Sequence, residues 1–93
     1  MQKLPRFEEE KHLAEVLRTP SAQESYEKLL LGAAIRKMRE KAGMKQAALA
    51  KKLKTSQSAV ARMEAGKQNF TLRTLIHLAF AFNKKISVKF HGT

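Results

Sequence analysis

A chain of 93 residues, 43% hydrophobic and 29% charged, has the size and composition of one globular domain, whose modest core association of subunits often reinforces. No apolar run approaches the ~20 residues of a membrane span, and the N-terminus lacks the basic-then-apolar layout of a secretion signal. There is no cysteine to form a disulfide or a thiolate metal site, so a cytoplasmic protein without a cofactor is expected.

The formal net charge is +11, and the excess is unevenly placed. Residues 1–24 hold four basic and five acidic residues, whereas residues 25–93 hold fifteen basic and three acidic ones. Such a concentration is the footprint of a domain that sits on a polyanion.

From Phe7 to Arg18, the order FEEEKHLAEVLR puts Leu13, Val16 and Leu17 on one side of a helix with acidic residues near its start. It predicts an N-terminal helical arm over residues 1–24. Thr19 precedes Pro20 and is pushed away from helical geometry, so a break falls there. Ser21 with Glu24 three residues on is a capping box that opens a longer helix. That helix runs to about Ala42, with Tyr26, Leu30, Ala34, Met38 and Ala42 at every fourth position, Leu31 and Ile35 widening the stripe, and Gly43 closing it.

Lys45 to Leu53 is a short, alanine-rich second segment, and Ser56 to Ala65 is a third that ends at Gly66. A fourth begins near Thr71, carries Leu72, Leu75, Ile76, Ala79 and Phe80 at helical spacing, and stops at Asn83. Residues 25–84 thereby make the main domain. The tail from Lys85 to His91 alternates Ile86, Val88 and Phe90 with polar residues, the period of a half-buried strand. A lone strand must pair with something, and the nearest candidate is its own copy, so residues 85–93 are expected to form a two-stranded ribbon across a homodimer axis.

The second and third segments, separated by Lys54 and Thr55, have the spacing of a helix-turn-helix. Ala50 is small where the two helices would cross, Val60 and Met63 are apolar where the later helix meets the core, and Leu49 and Leu53 complete the packing. From about Leu31 to Asn83 the pattern IRKMREKAGMKQAALAKKLKTSQSAVARMEAGKQNFTLRTLIHLAFAF resembles the lambda-repressor-like, or XRE-type, DNA-binding domain. Arg39, Gly43, Gln46, Ala50, Val60, Glu64, Gly66 and Lys67 agree with it together. The expected fold is therefore an all-α helix-turn-helix bundle with an N-terminal helical arm and a short C-terminal β-strand.

In this geometry the first residues of the second motif helix touch base edges in the major groove of duplex DNA. Ser56, Gln57 and Ser58 form that polar leading end. Gln57 offers a donor and an acceptor to adenine, Ala61 faces a thymine methyl, and Arg62 is placed for a guanine or a phosphate. Ser56 also fits as a helix cap. Lys45, Lys54, Lys67 and Asn69 would flank the groove on the phosphates. The resemblance implies that Gln46 contacts a phosphate and steadies the recognition glutamine, and that Arg39 and Glu64 form an internal ion pair joining the first and third helices. Two positions depart from the family: Lys54 stands where glycine is often found, and Lys45 where many relatives place a Ser or Thr cap.

His12, His77 and His91 are scattered, and neither a glycine-rich phosphate loop nor a nucleophile-base arrangement is present, so no enzyme is expected. The order of arm, XRE-type domain and terminal strand resembles antitoxins of type II toxin-antitoxin modules. Among these, HigA-like proteins neutralise a RelE-fold ribonuclease, and HipB-like proteins pair a C-terminal strand across their dimer. The resemblance implies a repressor of its own operator whose arm covers a basic RelE/HigB-like toxin, with Phe7, Leu13, Val16 and Leu17 as contacts beside Glu8, Glu9, Glu10 and Glu15. The alternatives are a stand-alone phage-type or chromosomal regulator without a toxin, and a module that bridges transcription proteins and binds DNA weakly.

Overall fold

The computed structural model describes residues 18–92, and four helices follow one another within them: α1 (Pro20–Lys41), α2 (Gln46–Leu53), α3 (Gln57–Glu64) and α4 (Leu72–Ala81). The arm residues Phe7, Leu13, Val16 and Leu17 lie outside the described residues.

The start of α1 differs from the capping box predicted at Ser21 and Glu24. Thr19 is the N-cap, in extended geometry (φ −94°, ψ 143°), and its hydroxyl accepts the Ala22 N–H at 3.3 Å. Proline explains the shift: it forces the preceding residue into the backbone region a cap needs, and it stands at the first helical position, where no N–H is required. Ser21 is simply helical, and Glu24 pairs with Lys28 at 2.8 Å on the helix surface.

The buried line of α1 agrees with the expected stripe at Ile35, with Tyr26, Leu30 and Leu31 half-buried, and departs from it at Gly32 and at the alanines. Gly32 and Ile35 are buried, while Ala34 and Ala42 are exposed and Met38 is half-buried. The cause is the way α1 crosses α3. A Cβ built on Gly32 would stand 2.5 Å from the Met63 carbonyl oxygen and 2.7 Å from that of Glu64. The two backbones touch, and only a residue without a side chain permits it. Contact at Gly32 rotates the neighbouring Ile35 into the core and turns the alanines outward.

Ile35, Leu49, Ala50, Val60, Met63 and Leu78 make the core, and Leu31, Met44, Leu53, Phe70, Leu75 and Phe82 pack around it. The residues expected to join α2 to α3, namely Leu49, Ala50, Val60, Met63 and Leu53, all lie there. Ile35, Leu49 and Val60 are fully buried, and each such side chain contributes roughly 1.5–3 kcal/mol.

Two left-handed residues close the helices that carry the motif. Lys54 caps α2 at φ 57°, ψ 46°, so it adopts the backbone a glycine would favour, at a cost of roughly 1–2 kcal/mol. Its N–H and that of Thr55 return to Lys51 and Ala50 carbonyls at 3.2 and 2.9 Å, which keeps the turn closed. Gly66 follows α3 at φ 72°, and its Cα lies against α1, where a Cβ would meet the Leu29 Cα at 3.0 Å. Lys45 caps α2 without any side-chain hydrogen bond, whereas the Thr71 hydroxyl caps α4 by accepting from Thr74 N–H at 3.1 Å.

Residues 84–92 carry neither helix nor strand. The strand expected over Lys85–His91 is therefore not formed, and among the described residues there is no neighbouring strand for its backbone to pair with. Ile86, Val88 and Phe90 are exposed, Phe90 at 98%.

Gly32→Ala weighs helix propensity against packing. Alanine gains about 1 kcal/mol of propensity in a helix interior. The methyl must displace two backbone carbonyls, and overpacking of that kind costs about 1–3 kcal/mol or more. Urea unfolding is expected to show a net loss of stability, and a variant more stable than the parent would disprove the backbone contact.

Candidate nucleic-acid interface

Ser56 opens α3 as its N-cap: its Oγ accepts the Ala59 N–H at 3.1 Å. The next two residues, Gln57 and Ser58, are exposed, and so are Ser56 itself and Arg62 one turn on. Ala61 is half-buried on the same side. Behind them Ala59, Val60 and Met63 are buried. Because successive helical residues turn by about 100°, burying one set fixes the other outward, and the core thus aims the polar leading end at solvent.

The surroundings favour an anion. Lys45, Lys54, Lys67 and Asn69 are exposed around the two short helices, and so are Lys51 and Lys52. The first turn of α3 holds no acidic residue, so its free N–H groups and the positive end of its dipole are not offset. From Lys41 to the C-terminus the chain has one acidic residue, Glu64.

That residue is turned inward. Glu64 Oε2 accepts from Arg39 Nε at 2.6 Å and Oε1 from Arg39 Nη2 at 3.0 Å, a two-pronged pair whose side chains are 5% and 11% exposed. Oε1 also accepts from Gln46 Nε2 at 3.1 Å, and Arg39 Nη1 donates to the Met44 carbonyl at 2.7 Å. Burial pushes the Glu64 carboxyl up, but the hydrogen bonds from Arg39 and Gln46 and the charges of Arg39 and Arg36 outweigh it, leaving the group below the ordinary glutamate range. The pair joins α1 to α3, as its resemblance implied.

Gln46 belongs to the same cluster. One of its amide N–H groups is engaged by the desolvated Glu64 carboxylate, and no hydrogen bond links it to Gln57 among the described residues. Gln46 is half-buried at the first turn of α2, next to the exposed Lys45.

Gln68 is a residue the sequence pattern did not single out. It lies in the loop after α3, and its Oε1 accepts from Arg62 Nε at 3.3 Å. No periodicity marks a loop glutamine; only the return of the chain at Gly66 brings it back over α3.

Among the described residues no group of His, Cys, Asp or Glu could hold a metal ion, and no helix is long and apolar enough to cross a membrane. A family model described as helix-turn-helix matches residues 35–88. No curated protein and no solved structure matches the chain.

The Glu64 carboxyl sets an acid limit. A carboxyl held low in the folded state stabilises above the ordinary glutamate value of about 4.3, and that contribution fades as pH falls through the lower folded value. The thermal midpoint is expected to drop as the pH falls below the ordinary glutamate range and through the lower folded value of this carboxyl. Glu64→Gln should lose about 3 kcal/mol at neutral pH, since Arg39 is left without its charge partner, and should show a flatter acid limb. A limb as steep as that of the parent chain would contradict this.

Proposed function

We propose, given that this chain belongs to the helix-turn-helix family of DNA-binding regulators in its XRE-type form, that it is a transcriptional repressor that reads double-stranded operator DNA as a homodimer. The observation that carries the proposal is the exposure of Ser56, Gln57 and Ser58 at the leading end of α3 while Ala59, Val60 and Met63 anchor that helix from behind. With α3 laid in the major groove, Gln57 bonds an adenine edge, Ala61 packs on a thymine methyl, Arg62 reads beside them, and Ser56 and Ser58 serve bases or phosphates. Lys45, Gln46, Lys54, Lys67 and Asn69 hold the backbone on either side and set register.

Homodimerisation is supported by what the single chain leaves uncovered. Val88 and Phe90 are 65% and 98% exposed, and Phe80 on α4 is 76% exposed, an apolar set that a second copy would cover. Pairing Lys85–His91 with its twin would give that segment the strand partner it lacks among the described residues.

The regulator serves as the antitoxin of a type II module in our reading. Support comes from the arm, where Glu8, Glu9, Glu10 and Glu15 stand beside Phe7, Leu13, Val16 and Leu17, a pattern suited to a basic ribonuclease surface. A stand-alone regulator shares the same DNA-binding domain and needs no such arm.

Gln57→Ala should relax preference at one base pair per half-site, by about 1–3 kcal/mol in operator binding, and leave other positions unchanged. Equal binding to the selected operator and to its single-base variants by both proteins would rule out that role. Removing residues 85–93 should shift the protein to monomer in sedimentation at micromolar concentration and weaken operator binding with it. A truncated chain that stays dimeric would exclude the strand ribbon. Co-expression with a small basic open reading frame beside the gene should yield a stable complex that removal of residues 1–18 abolishes. Survival of the complex without those residues would place the toxin contact elsewhere.

A further inference from the structure

We infer that Gln68 is a positioning residue for base recognition, holding the Arg62 guanidinium so that its two terminal amino groups meet a guanine edge. The inference rests on α3 being the recognition helix. Arg62 Nε donates to Gln68 Oε1 at 3.3 Å. Arginine has no acceptor, so the Gln68 amide can present only its oxygen there, and its orientation is set by that requirement. With Nε engaged, the remaining N–H groups all belong to Nη1 and Nη2. One from each points along the side-chain axis, and such a parallel pair matches guanine O6 and N7.

The frame under this contact is rigid at the backbone. The loop that carries Gln68 is tied to α3 by Gly66 N–H on the Met63 carbonyl at 3.1 Å and by Lys67 N–H on the Arg62 carbonyl at 2.9 Å. Gln68 is half-buried, and Arg62 is exposed. An anchored residue therefore restrains a solvent-facing one.

The restraint decides between the two ligands that fit Arg62. A phosphate can be met by an arginine from many directions and benefits little from a fixed plane. A guanine edge requires two coplanar bonds at once. Arginine also has among the most rotamer freedom of any side chain, and restricting it before DNA arrives lowers the cost of forming that pair. A glutamine that fixes the plane is thus a device for base discrimination.

The test uses the full chain and a duplex it selects from a random library, together with the single-base variants of that duplex. Arg62→Ala should abolish preference for guanine at one position per half-site, a loss of about 10- to 100-fold. Gln68→Ala should weaken the same position by about 3- to 10-fold and leave the others alone. The double variant should be no worse than Arg62→Ala. Gln68→Glu still accepts the Nε–H, so it should keep the guanine preference while binding every duplex more weakly through charge repulsion. A Gln68→Ala loss spread evenly over all positions, a gain in guanine preference, or full additivity with Arg62→Ala would overturn the inference. So would an Arg62→Ala variant that flattens no position. If Arg62→Ala flattens one position and Gln68→Ala matches the parent, the positioning role falls while the recognition helix stands; no sequence preference in the parent removes both.

Discussion

The Glu64 carboxylate is the point at which the frame of the DNA-binding motif is tied together. It receives Arg39 from α1 and Gln46 from α2, while Arg39 also reaches the Met44 carbonyl between them. An acid this buried would be costly if left alone, and its hydrogen bonds offset the loss of water. The net stabilisation of such a cluster is often small, but its geometry is demanding, because the paired bonds to Arg39 fix distance and direction together. The angle between α2 and α3 is set by that clamp along with the core of Leu49, Ala50 and Val60. Its second effect is electrostatic. The one acidic side chain between Lys41 and the C-terminus is withdrawn from the surface, so no carboxylate from that stretch offsets the lysines around α3.

Close backbone contact completes the frame. Gly32 lets α1 lie directly on the end of α3, and Gly66 brings the chain past Leu29 as it leaves that helix. Both contacts hold the same end of α3 that bears Glu64. The opposite end, with Ser56, Gln57 and Ser58, is thereby projected from a fixed base. A helix of eight residues has little stability of its own, and here its far end is secured by α1 and α2.

Much of this was legible in the residues. Ala50, Val60 and Met63 at their spacings place two crossing helices, and Ser56, Gln57 and Ser58 are polar where a core would require apolar side chains. Lys54 stands where relatives often have glycine, and it takes the left-handed backbone that a glycine would favour. Gly32 was illegible because a glycine inside a helix reads only as lost propensity; its meaning depends on the distance to α3. The same contact displaced the buried line of α1 from its apparent stripe, since a pattern of apolar residues cannot register a missing side chain as a contact. Thr19 was masked by the better-known signal at Ser21 and Glu24, although Pro20 already dictated an extended residue before it. The alternation of Ile86, Val88 and Phe90 is a strand pattern that finds no partner among the described residues, and that segment alone forms no strand. Gln68 depends on the return of a loop, which no local pattern encodes.

In the proposed mode of binding, the polar leading end of α3 enters the major groove twice, once from each copy of the chain. Dimethyl sulfate methylates guanine N7 in that groove, so probing a selected operator with and without the protein addresses the claim directly. Two patches of N7 protection, centred about 34–36 Å apart on one face of the duplex, are the predicted result. Guanine N7 that stays reactive throughout the bound site, with protection confined to the minor groove, would contradict it.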